Sequence, residues 1–174
     1  MKDRPVGVSI LSALHIVGGV LLLGLQVFML AKLDEVSKGL SDAGIPPALL
    51  IMGMLLLAGI ALASGIGMWL GTRWGWWCAT FYYVYSIARH ANAFLTVSAF
   101  AEDLEGSSRG PGYYYAKFGG RVLFHFLLLL YFFKSNVLQY FGMEHVRKIK
   151  AVGILIAITF LIFIVSTGIG LMLG

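Results

Sequence analysis

Long apolar runs separated by short polar connections dominate the chain, and five of them approach the length of a membrane crossing. A hydrocarbon core about 30 Å thick is crossed by about 20 helical residues rising 1.5 Å each. Residues 6–30 form the first run. It is longer than the core of a cleavable leader and no small-x-small cleavage site follows, so it reads as a retained span. The polar connection after it carries Leu33, Val36 and Leu40, spaced like one face of a short interfacial helix. Pro46-Pro47 opens the second run, 46–70, because proline suits a first helical turn and ends whatever precedes it.

A tight turn at Gly71-Thr72-Arg73 leads into the third run, 74–100. Trp69, Trp74, Trp76 and Trp77 cluster around this turn, and amphipathic indoles favour the membrane–water boundary. The next connection holds Glu102, Asp103, Glu105 and a Gly/Ser/Pro-rich stretch, and ends at Tyr113-Tyr114-Tyr115, which reads as a second aromatic belt. The fourth span, set at about 116–138, has the least distinct limits. Its cleanest apolar stretch is short and bracketed by Arg121 and Lys134. It must recruit the tyrosines before it or run on through 137–143, with its cations snorkelling. A basic connection, 144–150, precedes the fifth run at 151–173. The predicted architecture is all-α: a polytopic transmembrane bundle of about five helices with short loops, in one membrane domain.

Composition points the same way. The chain is 59% hydrophobic and 12% charged, with a mean hydropathy of +0.87, whereas soluble domains are about a quarter charged. The lone Cys78 excludes an intramolecular disulfide and a multi-thiolate metal site, and reads as a small core residue. A net charge of +5 without a basic arm points to anionic lipid rather than nucleic acid. The short loops divide Lys and Arg unevenly. Lys2, Arg4, Arg73, Lys134, Arg147, Lys148 and Lys150 fall on one side; Lys32, Lys38, Arg109, Lys117 and Arg121 fall on the other with most of the acids. This predicts a multi-pass protein of the cell membrane, its N-terminus cytoplasmic and its C-terminus external.

Small residues suggest how the helices meet. Gly59, Ala63, Gly67 and Gly71 recur every four residues on the second span and would form one groove for close helix packing. Ser166, Gly170 and Gly174 repeat the spacing on the fifth. The groove can serve packing within the chain or a homo-oligomer.

Candidate chemistry lies in the polar groups at membrane depth, each of which is costly and needs a local reason. Ser12, His15, Gly19 and Gln26 share one face of the first span. Tyr82, Tyr85 or Ser86, Arg89, Asn92 and Thr96 form a stripe on the third, with His90 beside Arg89. Lys117, Arg121 and His125 follow at i, i+4, i+8 on the fourth. With each span centred on the bilayer, His15 and His90 lie about 5 Å from the midplane. His15, Arg89, His90 and His125 can thus meet in one layer. The histidines have a structural use in bonding carbonyls or hydroxyls, and Arg89 can snorkel. Yet none of the acids lies inside a span, so Arg89 and Arg121 lack an intramembrane carboxylate and call for an anion, a loop or water.

Three readings use these groups. His15, Gln26, Arg89, His90, Asn92, Arg121 and His125 can line an oligomeric ion pore that favours anions. They can bind an anionic lipid headgroup or the acidic segment of a membrane-protein partner. Two histidines can hold a haem b for electron transfer. A histidine metal site has no carboxylate or thiolate to complete it, so none is assigned. Enzyme signatures are absent: there is no Gly-x-Ser-x-Gly, His-Glu-x-x-His or Walker sequence. Broken-helix transporter repeats are not evident either. The leading expectation is a non-enzymatic membrane protein, without a bound cofactor, that acts through assembly as a homo-oligomer or a complex subunit.

Three stretches also carry a resemblance: Arg4-Pro5-Val6-Gly7-Val8; Gly65-Ile66-Gly67-Met68-Trp69 through Trp74-Gly75-Trp76-Trp77; and Val137-Leu138-Gln139-Tyr140-Phe141-Gly142. Together they resemble a broad group of small, uncharacterised prokaryotic four-helix integral membrane proteins. The likeness would cover residues 4–142 and leave the fifth span as an addition. It implies a helical membrane fold and a prokaryotic source, with no activity or site residues to carry over.

Overall fold

The computed structural model describes residues 3–32, 47–99 and 110–173, with side chains for 3–32, 51–99 and 110–168. The interfacial segment expected around Leu33, Val36 and Leu40 lies outside the described residues, as does the acidic stretch before Gly110. Within them the chain forms six helices and no strand: α1 (Val6–Ala31), α2 (Pro47–Leu70), α3 (Arg73–Ala99), α4 (Pro111–Phe132), α5 (Ser135–Phe141) and α6 (Lys148–Leu173).

Three helices, α1, α2 and α6, are long and apolar enough to cross a membrane. The pair α4 and α5, bent by 67°, makes a fourth if it counts as one broken span. α3 has the length, at 27 residues, but its arginines, histidine and polar aromatic tips dilute its apolar character. The expected count of about five is thus three to four by length and composition. The fourth span does recruit the tyrosines, starting at Pro111, but residues 135–141 form a separate short helix rather than its continuation. The break leaves α4 with a free terminal carbonyl, and the buried Trp76 of α3 donates its indole N–H to Phe132 O at 3.0 Å.

α1 shows what solvent this fold suits. Its buried positions are Val8, Ser12, His15, Gly19 and Gln26, while Leu14, Val17 and Leu21 stand more than half exposed. Polar groups inside and leucines outside invert the soluble pattern and fit a helix whose solvent is hydrocarbon.

The helices pack in sequence, α1 on α2, α2 on α3 and α3 on α4, with α6 resting mainly on α3. The densest packing gathers at the end that holds the α2–α3 turn. There Val8, Met68, Trp76, Phe132, Phe141 and Leu155 are all but inaccessible. The three sequence stretches that carried the resemblance converge at this end. Arg4 donates to Trp69 O at 2.9 Å and to the Tyr140 hydroxyl at 3.1 Å, and its guanidinium lies 4.3 Å over the Trp69 ring. Tyr140 in turn donates to Met68 O.

The turn itself is chemically complete. Gly71 adopts a left-handed φ of +65°, which glycine takes without a Cβ penalty. Its N–H reaches Met68 O and the N–H of Thr72 reaches Gly67 O, so these two carbonyls near the end of α2 are satisfied. Thr72 then serves both helices: its hydroxyl donates to Gly67 O and accepts the N–H of Gly75 in the first turn of α3. Thr72→Ala should therefore cost about 1 kcal/mol, the usual value of an N-cap, while Thr72→Ser keeps most of it. Unfolding in mixed micelles by a denaturing detergent measures the difference. Equal stability of the two variants would contradict this double-capping role.

Candidate functional site

The histidine layer is built on α1, α2, α3 and α4. α1 and α2 approach closely because Gly19 and Gly65 leave room. A Cβ on Gly65 would meet Ile16 at 2.7 Å, and one on Gly19 would meet Leu62 at 2.6 Å. At this contact Ser12 donates to Gly65 O at 2.6 Å. One turn further, His15 Nδ1 lies 2.5 Å from Ser64 Oγ and His15 Nε2 lies 2.9 Å from the Tyr83 hydroxyl. The direction of these bonds follows from the partners. Ser64 spends its proton on Ala61 O at 2.9 Å, so its oxygen accepts from His15 Nδ1–H. That leaves His15 Nε2 as the acceptor for the Tyr83 O–H. The row Tyr83→His15→Ser64→Ala61 O is fully satisfied with a neutral imidazole, and Tyr82 packs edge-on to the same ring at 4.6 Å.

His125 sits across a cleft on α4. Its Nδ1 lies 2.7 Å from Arg121 O. A carbonyl only accepts, so Nδ1 carries the proton, and Nε2 of the neutral ring makes no hydrogen bond with the described residues. The His125 ring lies 6.4 Å from that of Tyr82 and 6.2 Å from that of Tyr83, and 5.5 Å from His90 on α3. His90 is buried and stacks on Phe118, with no hydrogen bond to the described residues. The three histidines therefore form a bent row across the bundle, joined through the tyrosines.

Other candidates fall elsewhere. Arg89, Asn92 and Arg121 are exposed on the outer faces of α3 and α4. Among the described residues no acid pairs with either arginine. Gln26 is buried on α1, and neither amide atom finds a partner among the described residues. The small-residue groove is divided. Gly67 meets Gly75 and Trp74 of α3, and Gly71 lies against the Tyr140 ring. Gly59 faces open space, and Ala63 is half-buried. They do not share one neighbour, because the contact that joins α2 to α1 runs instead through Leu62, Ser64 and Gly65.

Sequence reasoning passed over Ser64 and Tyr83, the two partners of His15, and Gly18, which borders the cleft. The signal for Ser64 was its isolation as a hydroxyl in an otherwise apolar helix. Tyr83 gave none beyond its neighbours, since each tyrosine of that run was equally plausible.

The cleft between α1 and α4 holds about 180 Å³, with His15, Tyr82, Tyr83 and His125 among its walls. Cofactor-sized pockets begin near roughly 300 Å³, and His90 and His125 lie on directly packed helices. Among the described residues no three histidine, cysteine or carboxylate groups converge as metal ligands. Comparison of the chain with protein-family models, with curated proteins and with solved structures yields no match.

Proposed function

We propose that this chain is a non-enzymatic protein of the cell membrane that works by assembly, as a homo-oligomer or as a subunit of a larger complex. The observation that carries the reading is the outward polar stripe of α3. Arg89, Asn92 and Thr96 are exposed along one face, with Arg121 exposed on the neighbouring α4. Arg89 lies well inside its 27-residue helix. A guanidinium near a helix centre costs at least about 2.5–3.5 kcal/mol against lipid, so a protein surface or water covers this stripe in the assembled state.

α3 counts as a span in this reading, giving about five, because it runs between α2 and α4 and is joined to α2 by a two-residue turn. The lysine and arginine bias puts the N-terminus in the cytoplasm and the end of α6 outside. An anion-conducting pore is the second reading, favoured by one fact: Arg89 and Arg121 are exposed cations with no acid paired to them among the described residues. In an oligomer they would face a shared lumen.

Subunit counting by single-molecule photobleaching in liposomes tests the first reading. Wild type should exceed one chain per spot, and Arg89→Leu should shift the distribution by several-fold, in either direction, as the interface loses its charge. Single-chain spots at every protein density would reject assembly through the chain's own copies. Planar-bilayer currents on the same preparations separate the second reading, which requires anion selectivity that falls in Arg89→Gln.

A further inference from the structure

The cleft between α1 and α4 has two sets of polar groups with different standing. His15 and Tyr83 satisfy each other and form a fixed wall. Tyr82 and His125 also border the cleft, but each has hydrogen-bonding capacity to spare. The Tyr82 hydroxyl makes no hydrogen bond with the described residues, and His125 has committed Nδ1 alone. In a hydrocarbon surround an unmade hydrogen bond costs more than it does beside water. The pair offers one hydroxyl donor and one bare nitrogen acceptor, on rings 6.4 Å apart. A single ligand hydroxyl, which donates and accepts at once, answers both. A carbonyl answers only Tyr82.

Shape narrows the class further. Leu11, Leu14, Leu22, Phe124 and Leu128, with Gly18 and Ala61, make up the rest of the wall. The volume of about 180 Å³ exceeds the roughly 150 Å³ at which an apolar protein cavity takes up benzene. Gly18 borders it, and a Cβ there would meet nothing within 4 Å, so there is room for a larger side chain. We propose that this cleft binds a membrane-dissolved phenol, its ring among the leucines and Phe124 and its hydroxyl held between the Tyr82 hydroxyl and Nε2 of His125. The site lies inside one chain and stands independently of assembly.

The probe is 4-propylphenol, titrated against the full chain in nanodiscs with saturation-transfer NMR, and with empty nanodiscs correcting for partition into lipid. Saturable binding is expected. Its methyl ether, 4-propylanisole, can accept from Tyr82 but cannot donate to His125, and should bind about tenfold more weakly, one hydrogen bond's worth. Tyr82→Phe and His125→Leu should each weaken the phenol by a similar factor. Gly18→Leu fills the cleft while leaving every polar atom in place and should abolish binding; its retention volume and helical content verify that it folds. Non-saturable uptake, an ether that binds as tightly as the phenol, or unchanged binding in Gly18→Leu would each overturn the proposal. If 1-hexanol competes at equal affinity, the ring has no part in recognition and the phenol assignment fails.

Discussion

Gly67→Ala should destabilise the bundle by about 3 kcal/mol, at the upper end of what overpacking costs. The added methyl group has nowhere to go. It would overlap the Cα of Gly75 and come within 2.7 Å of the Trp74 ring. A backbone atom cannot rotate aside as a side chain can, so α2 and α3 must separate. Their separation is opposed by the turn, where Thr72 joins the carbonyl of Gly67 to the N–H of Gly75. Gly59→Ala is the natural control, because it adds the same methyl on the same helix into open space. Its expected effect is neutral to stabilising, up to about 1 kcal/mol, from helix propensity and reduced freedom of the unfolded chain. Detergent-induced unfolding followed by circular dichroism compares the two. If Gly59→Ala were the harmful one and also reduced the oligomer, the small-residue groove would be an interface between chains. Equal, small effects would contradict the close Gly67–Gly75 contact.

The reason the groove divides also shows what a sequence can and cannot display. Spacing alone put Gly59, Ala63, Gly67 and Gly71 on one face, which helical geometry requires. It could not say that the face is covered along only part of its length. α3 returns from the turn against the Gly67 end, whereas a Cβ at Gly59 would meet nothing within 4 Å. α6 contributes little there; a groove of about 730 Å³ opens between it and α2, bordered by Met52, Leu56, Tyr85 and Ile162. The limits of α1, α2 and α6 were visible because a long apolar run bounded by charge or proline admits few other readings. The α4–α5 break was not, since neither proline nor glycine marks it; its partner, Trp76, lies 56 residues away. The polar face of α1 was legible because few polar residues occur in that run and each must be buried against something. What it was buried against depends on rotamers and on the α1–α2 register, and neither leaves a trace in composition.

His15→Leu should lower stability by about 2 kcal/mol, and about half of that loss should vanish when Tyr83 is changed as well. The leucine retains much of the ring's volume, so the cavity contribution is small. The polar loss is unequal on the two sides. Ser64 keeps its own bond to Ala61 O and merely loses a donor to a lone pair. Tyr83, about 1% exposed, loses the acceptor of the hydrogen bond it makes to His15 and is left with a buried, unmet hydroxyl, at a cost of about 1–3 kcal/mol. Removing that hydroxyl in Tyr83→Phe relieves the penalty. The cycle His15→Leu, Tyr83→Phe and the double variant should therefore show a coupling of about 1 kcal/mol, within the range up to about 1.7 kcal/mol known for interhelical hydrogen bonds in membranes. Ser64→Ala should couple to His15 more weakly than Tyr83→Phe does, because of the spare bond. A coupling between His15 and Tyr83 near zero would mean that water or lipid supplies an alternative partner at this depth. The layer would then be solvated, and its histidines would be open to exchange rather than locked in a packed wall.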